Sequence, residues 1–168
     1  SLHDALPIYH IAVSYDQTTL TIYIDGKFNN SYTGGASTSS ATVFSIGSRL
    51  GSSGVIGQLD DFRIYNYART PEQVLQDMQG GVLGDSGSRL PDPIAHYSFD
   101  EQQGQAVNNK GILGSTANGT LGATSGSSTD DPTWKTKTDC KVNGCLSFDG
   151  GDYLNIGNNS AFDNSTIS

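Results

Sequence analysis

The sequence predicts an all-β fold: a β-sandwich of two antiparallel sheets with one short surface helix near residues 71–79. Three observations predict it. The 168 residues suffice for one domain with a full core, near the size at which a sandwich closes. Hydrophobic residues make up 35%, charged residues 15%, and 21 glycines stand beside many Ser, Thr and Asn, a mix suited to short strands and many turns. Period-2 alternation recurs along the chain, whereas helical periodicity occurs once.

In chain order, "HIAVSYD" alternates Ile11, Val13 and Tyr15 with Ala12 and Ser14, the signature of a half-buried strand. "TLTIYIDGKF" places Leu20, Ile22 and Ile24 on one face, and Asp25-Gly26 supplies the two positive-φ positions of a tight hairpin turn. The returning arm is expected at about Phe28–Thr33. The polar loop "GGASTSSA" leads to the strand "TVFSIG", and "RLGSSG" leads to a longer one, "VIGQLDDFRIYNY". In "RTPEQVLQDMQGG", Thr70 caps a helix, Pro71 suits its first position and Gln73 completes a capping box. Val74, Leu75 and Met78 form its apolar face, and Gly80-Gly81 stop it.

The turn-rich stretch "VLGDSGSRLPDP" lacks periodicity and reads as part of a linker over 81–93, long enough to reach roughly 40 Å when extended. Strand signal resumes at "IAHYSFDE", thins through an Asn/Gly-rich loop, and returns as "CLSFDGGDYLNIG". Cys140 and Cys145 read either as half a metal site or as a local disulfide. With no second Cys pair and with His3, His10 and His96 scattered singly, the disulfide is expected, contributing about 2 kcal/mol. It argues for an oxidising, extracytoplasmic setting.

The net charge of -8 disfavours nucleic acid and anionic lipid surfaces as partners. No apolar run approaches the roughly 20 residues of a membrane span. Four Asn-x-Ser/Thr sequons, at Asn29, Asn118, Asn158 and Asn164, are expected by chance in so Asn- and Ser-rich a chain.

The stretches "HIAVSYDQTTLTIYIDGK", "FSIGSRLGSSGVIGQLDDFRIYNYARTPEQV" and "IAHYSFDEQQGQAVNNKG" with "CLSFDGGDYLNIGNNSAFD" together resemble the laminin G-like, concanavalin A-like jelly-roll family. The resemblance covers nearly all of residues 9–168 and implies a jelly-roll sandwich. It also implies that the halves stand in reverse order: 9–80 is similar to a carboxy-terminal half, 94–168 to the amino-terminal half of a following domain. The expectation is a window on a tandem array of such domains, with a circular permutant as the alternative. In either case the two halves can close as one sandwich. "SLHDALPI", residues 1–8, matches the translation of a short-read sequencing adapter and is expected to be non-native, so His3 and Asp4 carry no functional weight and the lack of a signal peptide says nothing about export.

The resemblance further implies that Asp60, the leading acid of "QLDDFRIY", helps hold a structural calcium ion with oxygens from the Asn/Gly loop. Asn108, Asn109, Asn118 and Asp100 are the candidate partners, with Asp149 and Asp152 as further oxygens; calcium takes six to eight such ligands. Asn108 stands where the family carries an acid. The competing reading has Asp60 and Asp61 capping a strand start and binding Arg63 or backbone amides. For sugar rings the candidate platforms are Trp134, Tyr65 and Tyr153; Tyr65 faces the core or solvent depending on a bulge at Asp60-Asp61. Catalysis is not expected. Glu72 and Glu101 do not form the paired carboxylates of a glucanase, adjacent Asp60 and Asp61 point to opposite faces, and no Gly-x-Ser-x-Gly elbow occurs.

The expected function is therefore a non-catalytic binding module of a secreted or cell-surface multidomain protein, serving glycan binding or adhesion beside neighbouring domains of its own kind. The alternatives are a structural spacer, or an accessory carbohydrate-binding module of a glycoside hydrolase.

Overall fold

The computed structural model describes residues 7–34, 44–49, 53–80 and 91–162. Most of segment 1–8 and of the linker 81–93, and the sequon at Asn164, lie outside the described residues. These form twelve strands and one α-helix, all strand pairs antiparallel, as expected of an all-β jelly-roll sandwich. Two compact units divide the chain: residues 1–37, 67–91 and 165–168, and residues 38–66 and 92–164.

In the first unit, β1 (Ile11–Tyr15), β2 (Thr19–Ile24) and β3 (Lys27–Thr33) form a meander in that order. The turn between β2 and β3 is set by Asp25 and Gly26, at φ +50° and +71°. Register places Ile11, Val13 and Tyr15 opposite Ile24, Ile22 and Leu20. Yet Ser14 and Tyr23, on the other face, are the buried residues, while Ile11 is 67% exposed. The reason is that the Ser14 hydroxyl donates to the Arg69 carbonyl (2.9 Å), which turns that face toward the helical segment.

Helix α1 (Pro71–Met78) begins as expected: the Thr70 hydroxyl accepts from the Gln73 N–H, and Gln73 Oε1 accepts from the Thr70 N–H. Of its apolar face only Val74 is fully buried. Leu75 lies so close to the hairpin turn that a Cβ at Gly26 would sit 2.9 Å from its Cδ1.

The second unit holds the larger core. Its sheets run β10 (Thr133–Lys135), β11 (Cys145–Asp149), β5 (Ile56–Leu59); β4 (Phe44–Ile46), β12 (Leu154–Gly157), β9 (Gly119–Leu121), β8 (Ala106–Val107); and β6 (Phe62–Ile64) with β7 (Ala95–Tyr97). Tyr97, Phe99, Leu146 and Leu154 are fully enclosed, and Tyr97 donates its hydroxyl to the Ala117 carbonyl at 2.6 Å. Gly47, at φ +102°, leaves room for the Phe148 ring, which would lie 2.3 Å from a Cβ there.

The expected long strand "VIGQLDDFRIYNY" is broken. Asp61 takes φ +53°, so β5 and β6 separate and join different sheets. "CLSFDGGDYLNIG" likewise splits into β11 and β12 at Gly150, φ +103°.

Candidate functional site

The break after β5 presents Asp60 and Asp61 to different neighbours. Asp60 Oδ2 accepts the Val142 N–H (3.3 Å), and Asp100 Oδ1, beyond the end of β7, accepts the Gly144 N–H (3.3 Å). Both amides belong to the loop closed by the Cys140–Cys145 disulfide, whose Cα atoms are 5.6 Å apart, so the expected disulfide is formed. Two carboxylates thus grip one stapled loop.

Asp61 turns to basic partners: His96 Nε2 lies 2.5 Å from its Oδ1 and Arg63 Nη2 2.6 Å from its Oδ2. On the same strand run, Lys110 Nζ contacts the Ser98 hydroxyl (2.5 Å) and Asp100 Oδ2 (3.4 Å).

Partial burial pushes the Asp60 carboxyl up to about 6, against the Val142 N–H, with the charges of Asp61 and Asp100 adding to the rise. Burial acts the same way on Asp61, but its hydrogen bond to His96 and the Arg63 charge outweigh it and hold that carboxyl below its usual range.

A consequence for the metal-free protein can be measured. A folded Asp60 keeps its proton to about pH 6, while an unfolded carboxyl releases it near 3.8, so the native state binds the extra proton between those values. Stability therefore falls as pH rises from 3.8 to 6. Asp60→Asn keeps the amide contact and removes the charge. In chelator at pH 7 the variant should be more stable than the parent by about 1 kcal/mol, a figure reduced for solvent screening, and the gain should vanish below pH 4. Urea unfolding across pH 4–8 checks this; a less stable variant at pH 7 contradicts it.

The asparagines come together for a different purpose. Asn109, 7% exposed, accepts the His96 and Gly111 N–H groups on its Oδ1 (2.8 Å each) and donates to the Gly114 carbonyl (3.1 Å). Asn118 Oδ1 accepts the Asn109 N–H, and its amide donates to Asn108 Oδ1. Asn108 in turn donates twice to Glu101 Oε1. These oxygens close the loop after β8.

Asp149 and Asp152 are engaged likewise: Asp152 Oδ2 accepts the Asp149 N–H, and Asp149 Oδ1 accepts the Gly151 N–H, both at 2.9 Å. Of the five expected ligands, Asp60 and Asp100 both bind the disulfide loop, whereas the three asparagine oxygens are taken up by N–H groups of their own loop and of His96 on β7. Among the described residues no group of three or more His, Cys, Asp or Glu side chains is arranged to hold a metal ion. Asp60 and Asp100 stand near enough for the charge of Asp100 to add to the rise at the Asp60 carboxyl.

The expected sugar platforms separate by burial. Tyr65 and Tyr153 are each 6% exposed, so neither ring offers a face, which corrects that expectation. Strand parity was lost at Asp61, and Tyr65 falls on the core side. Trp134 is half-buried, paired opposite Leu146, with its indole N–H donating to the Gly104 carbonyl at 2.9 Å. An open cleft of about 410 Å³, lined by Phe44, Ser45, Gly47, Ser48, Arg49 and Ser53, contains none of the expected residues.

Glu101, Lys110 and His96 carry no sequence motif that marks them as parts of these clusters. The one signal was proximity in sequence, since His96, Ser98 and Asp100 follow at alternate positions and Lys110 lies in the neighbouring Asn/Gly loop.

No curated protein and no solved structure matched the chain. One family model did, across β1 to β6 and the start of α1: residues 8–75 match a laminin G-like model described as the concanavalin A-like lectin/glucanases superfamily.

Proposed function

We propose that the chain is a non-catalytic glycan-binding module of a secreted or cell-surface multidomain protein, working beside neighbouring domains of the same kind. The observation that carries this reading is the match of residues 8–75 to a lectin and glucanase superfamily. The disulfide supports an oxidising compartment. The net charge of -8 supports neutral or cationic partners over nucleic acid or an anionic membrane. Among the described residues no helix is long and apolar enough to cross a membrane.

Trp134 is the ring assigned to the sugar, because its N–H is already satisfied and its half-buried face is held in place. A structural calcium ion at Asp60 and Asp100 belongs to the same reading. When bound, it would neutralise two carboxylates that burial and proximity otherwise hold in partial conflict.

A glycan array probed with the whole chain, in calcium and in chelator, tests the proposal. Binding to a defined set of glycans, weakened about tenfold by Trp134→Ala, is the expected outcome. The burial of Tyr65 and Tyr153 favours a second reading, a spacer that binds no sugar. Silence on the array in both conditions would establish that reading instead.

A further inference from the structure

The second unit is assembled from two stretches of chain, 38–66 and 92–164, and the residues between them, 67–91, belong to the other unit. Each described strand of the first stretch has its ladder partner in the second: β4 pairs with β12, β5 with β11, β6 with β7. None of β4, β5 and β6 pairs with another of the three.

Further links cross the same boundary. Gly54 N–H donates to the Gly150 carbonyl (3.0 Å), the Ser48 hydroxyl to the Gly151 carbonyl (3.1 Å), and Asp61 meets His96. Ile46 and Ile64, 4% and 2% exposed, bury their side chains in the resulting core. The second stretch meanwhile carries ladders of its own, β8–β9–β12 and β10–β11. Without the first stretch it would present open edges on β7, β11 and β12, which backbone chemistry drives to pair.

We propose that residues 92–162 form an acceptor for the strand triplet of residues 44–64, and that the triplet docks in trans, one copy of the chain completing another. The specificity lies in the three ladders and the buried isoleucines, which do not depend on the covalent connection. The connection contributes an effective concentration of roughly millimolar order, so a second copy takes its place once the connection is cut or the chain is comparably concentrated.

The test uses the full chain with a protease site inserted between residues 84 and 85, cut after folding. One preparation carries an amino-terminal tag and a second is isotopically heavy. The two cut samples are unfolded together in urea, diluted back, and the tagged species is captured and weighed by native mass spectrometry.

The expected result is that cut protein elutes as one species holding both pieces, and that tagged pieces recover light and heavy carboxy-terminal pieces in proportion to input. Ile64→Ala should weaken the association of the pieces by roughly tenfold or more. Pieces that elute apart on cutting, or that fail to recombine where the uncut parent refolds, would overturn the proposal. So would an Ile64→Ala chain whose pieces associate as tightly as the parent's.

Discussion

Arg69→Met should lower the stability of the first unit by about 3 kcal/mol, the loss expected when one partner of a buried ion pair is removed and the other is left uncompensated. The Arg69 side chain is 4% exposed and its guanidinium forks onto Asp77, with Nε 3.0 Å from Oδ2 and Nη2 2.6 Å from Oδ1. Nη1 donates to the Tyr67 hydroxyl at 2.5 Å, and the guanidinium carbon lies 5.6 Å from that ring's centroid. The same residue's carbonyl receives the Ser14 hydroxyl, so β1 and α1 are tied through one position. Arg69→Lys should recover only part of the loss, because an ammonium cannot reproduce the planar fork. The double variant Arg69→Met/Asp77→Leu should recover more, since it leaves no buried charge unpaired. Urea unfolding of the three variants checks this order; a single variant Arg69→Met that costs under 1 kcal/mol would mean that the pair is solvated.

Leu146→Ala should cost the second unit about 3 kcal/mol as well, from lost transfer energy and the cavity left behind. Leu146 is completely buried at the centre of its sheet, with Trp134 opposite on one side and Leu59 on the other. Phe148, on the same strand, packs against Gly47 beyond the end of β4, so the surroundings have little freedom to collapse into the void. Leu146→Met, which nearly conserves volume, should cost under 1.5 kcal/mol.

What the sequence made legible was local chemistry. Thr70, Pro71 and Gln73 start a helix through bonds spanning three residues, Asp25-Gly26 turns a hairpin through its own φ angles, and Cys140 and Cys145 are close enough to meet under most backbone paths. What stayed hidden depends on distant partners. Ser14 reads as the solvent side of β1 until Arg69 is placed beside it.

Tyr65 could not be assigned to a face because one positive φ at Asp61 resets the parity of everything after it. The asparagines of the Asn/Gly loop illustrate a further ambiguity in the candidate site. An amide oxygen suited to a cation is equally suited to a backbone N–H, and here Asn109 and Asn118 bind amides. Asp60 and Asp100 are legible as candidate ligands and the disulfide loop as a loop, but not their contact, since the loop lies 40 or more residues away from both.

Residues 44–49, 53–64 and 92–162 are expected to open as one cooperative body, on which any binding surface of the second unit is built. Amide hydrogen exchange of Leu146→Ala against the parent tests it most directly. A loss of about 3 kcal/mol corresponds to roughly a hundredfold faster exchange wherever opening is shared. That acceleration is expected at Ile46, Leu59 and Ile64, before the connection, as well as at Tyr97, Phe148 and Leu154 after it. Acceleration confined to residues 92–162, with β4, β5 and β6 exchanging as in the parent, would contradict it.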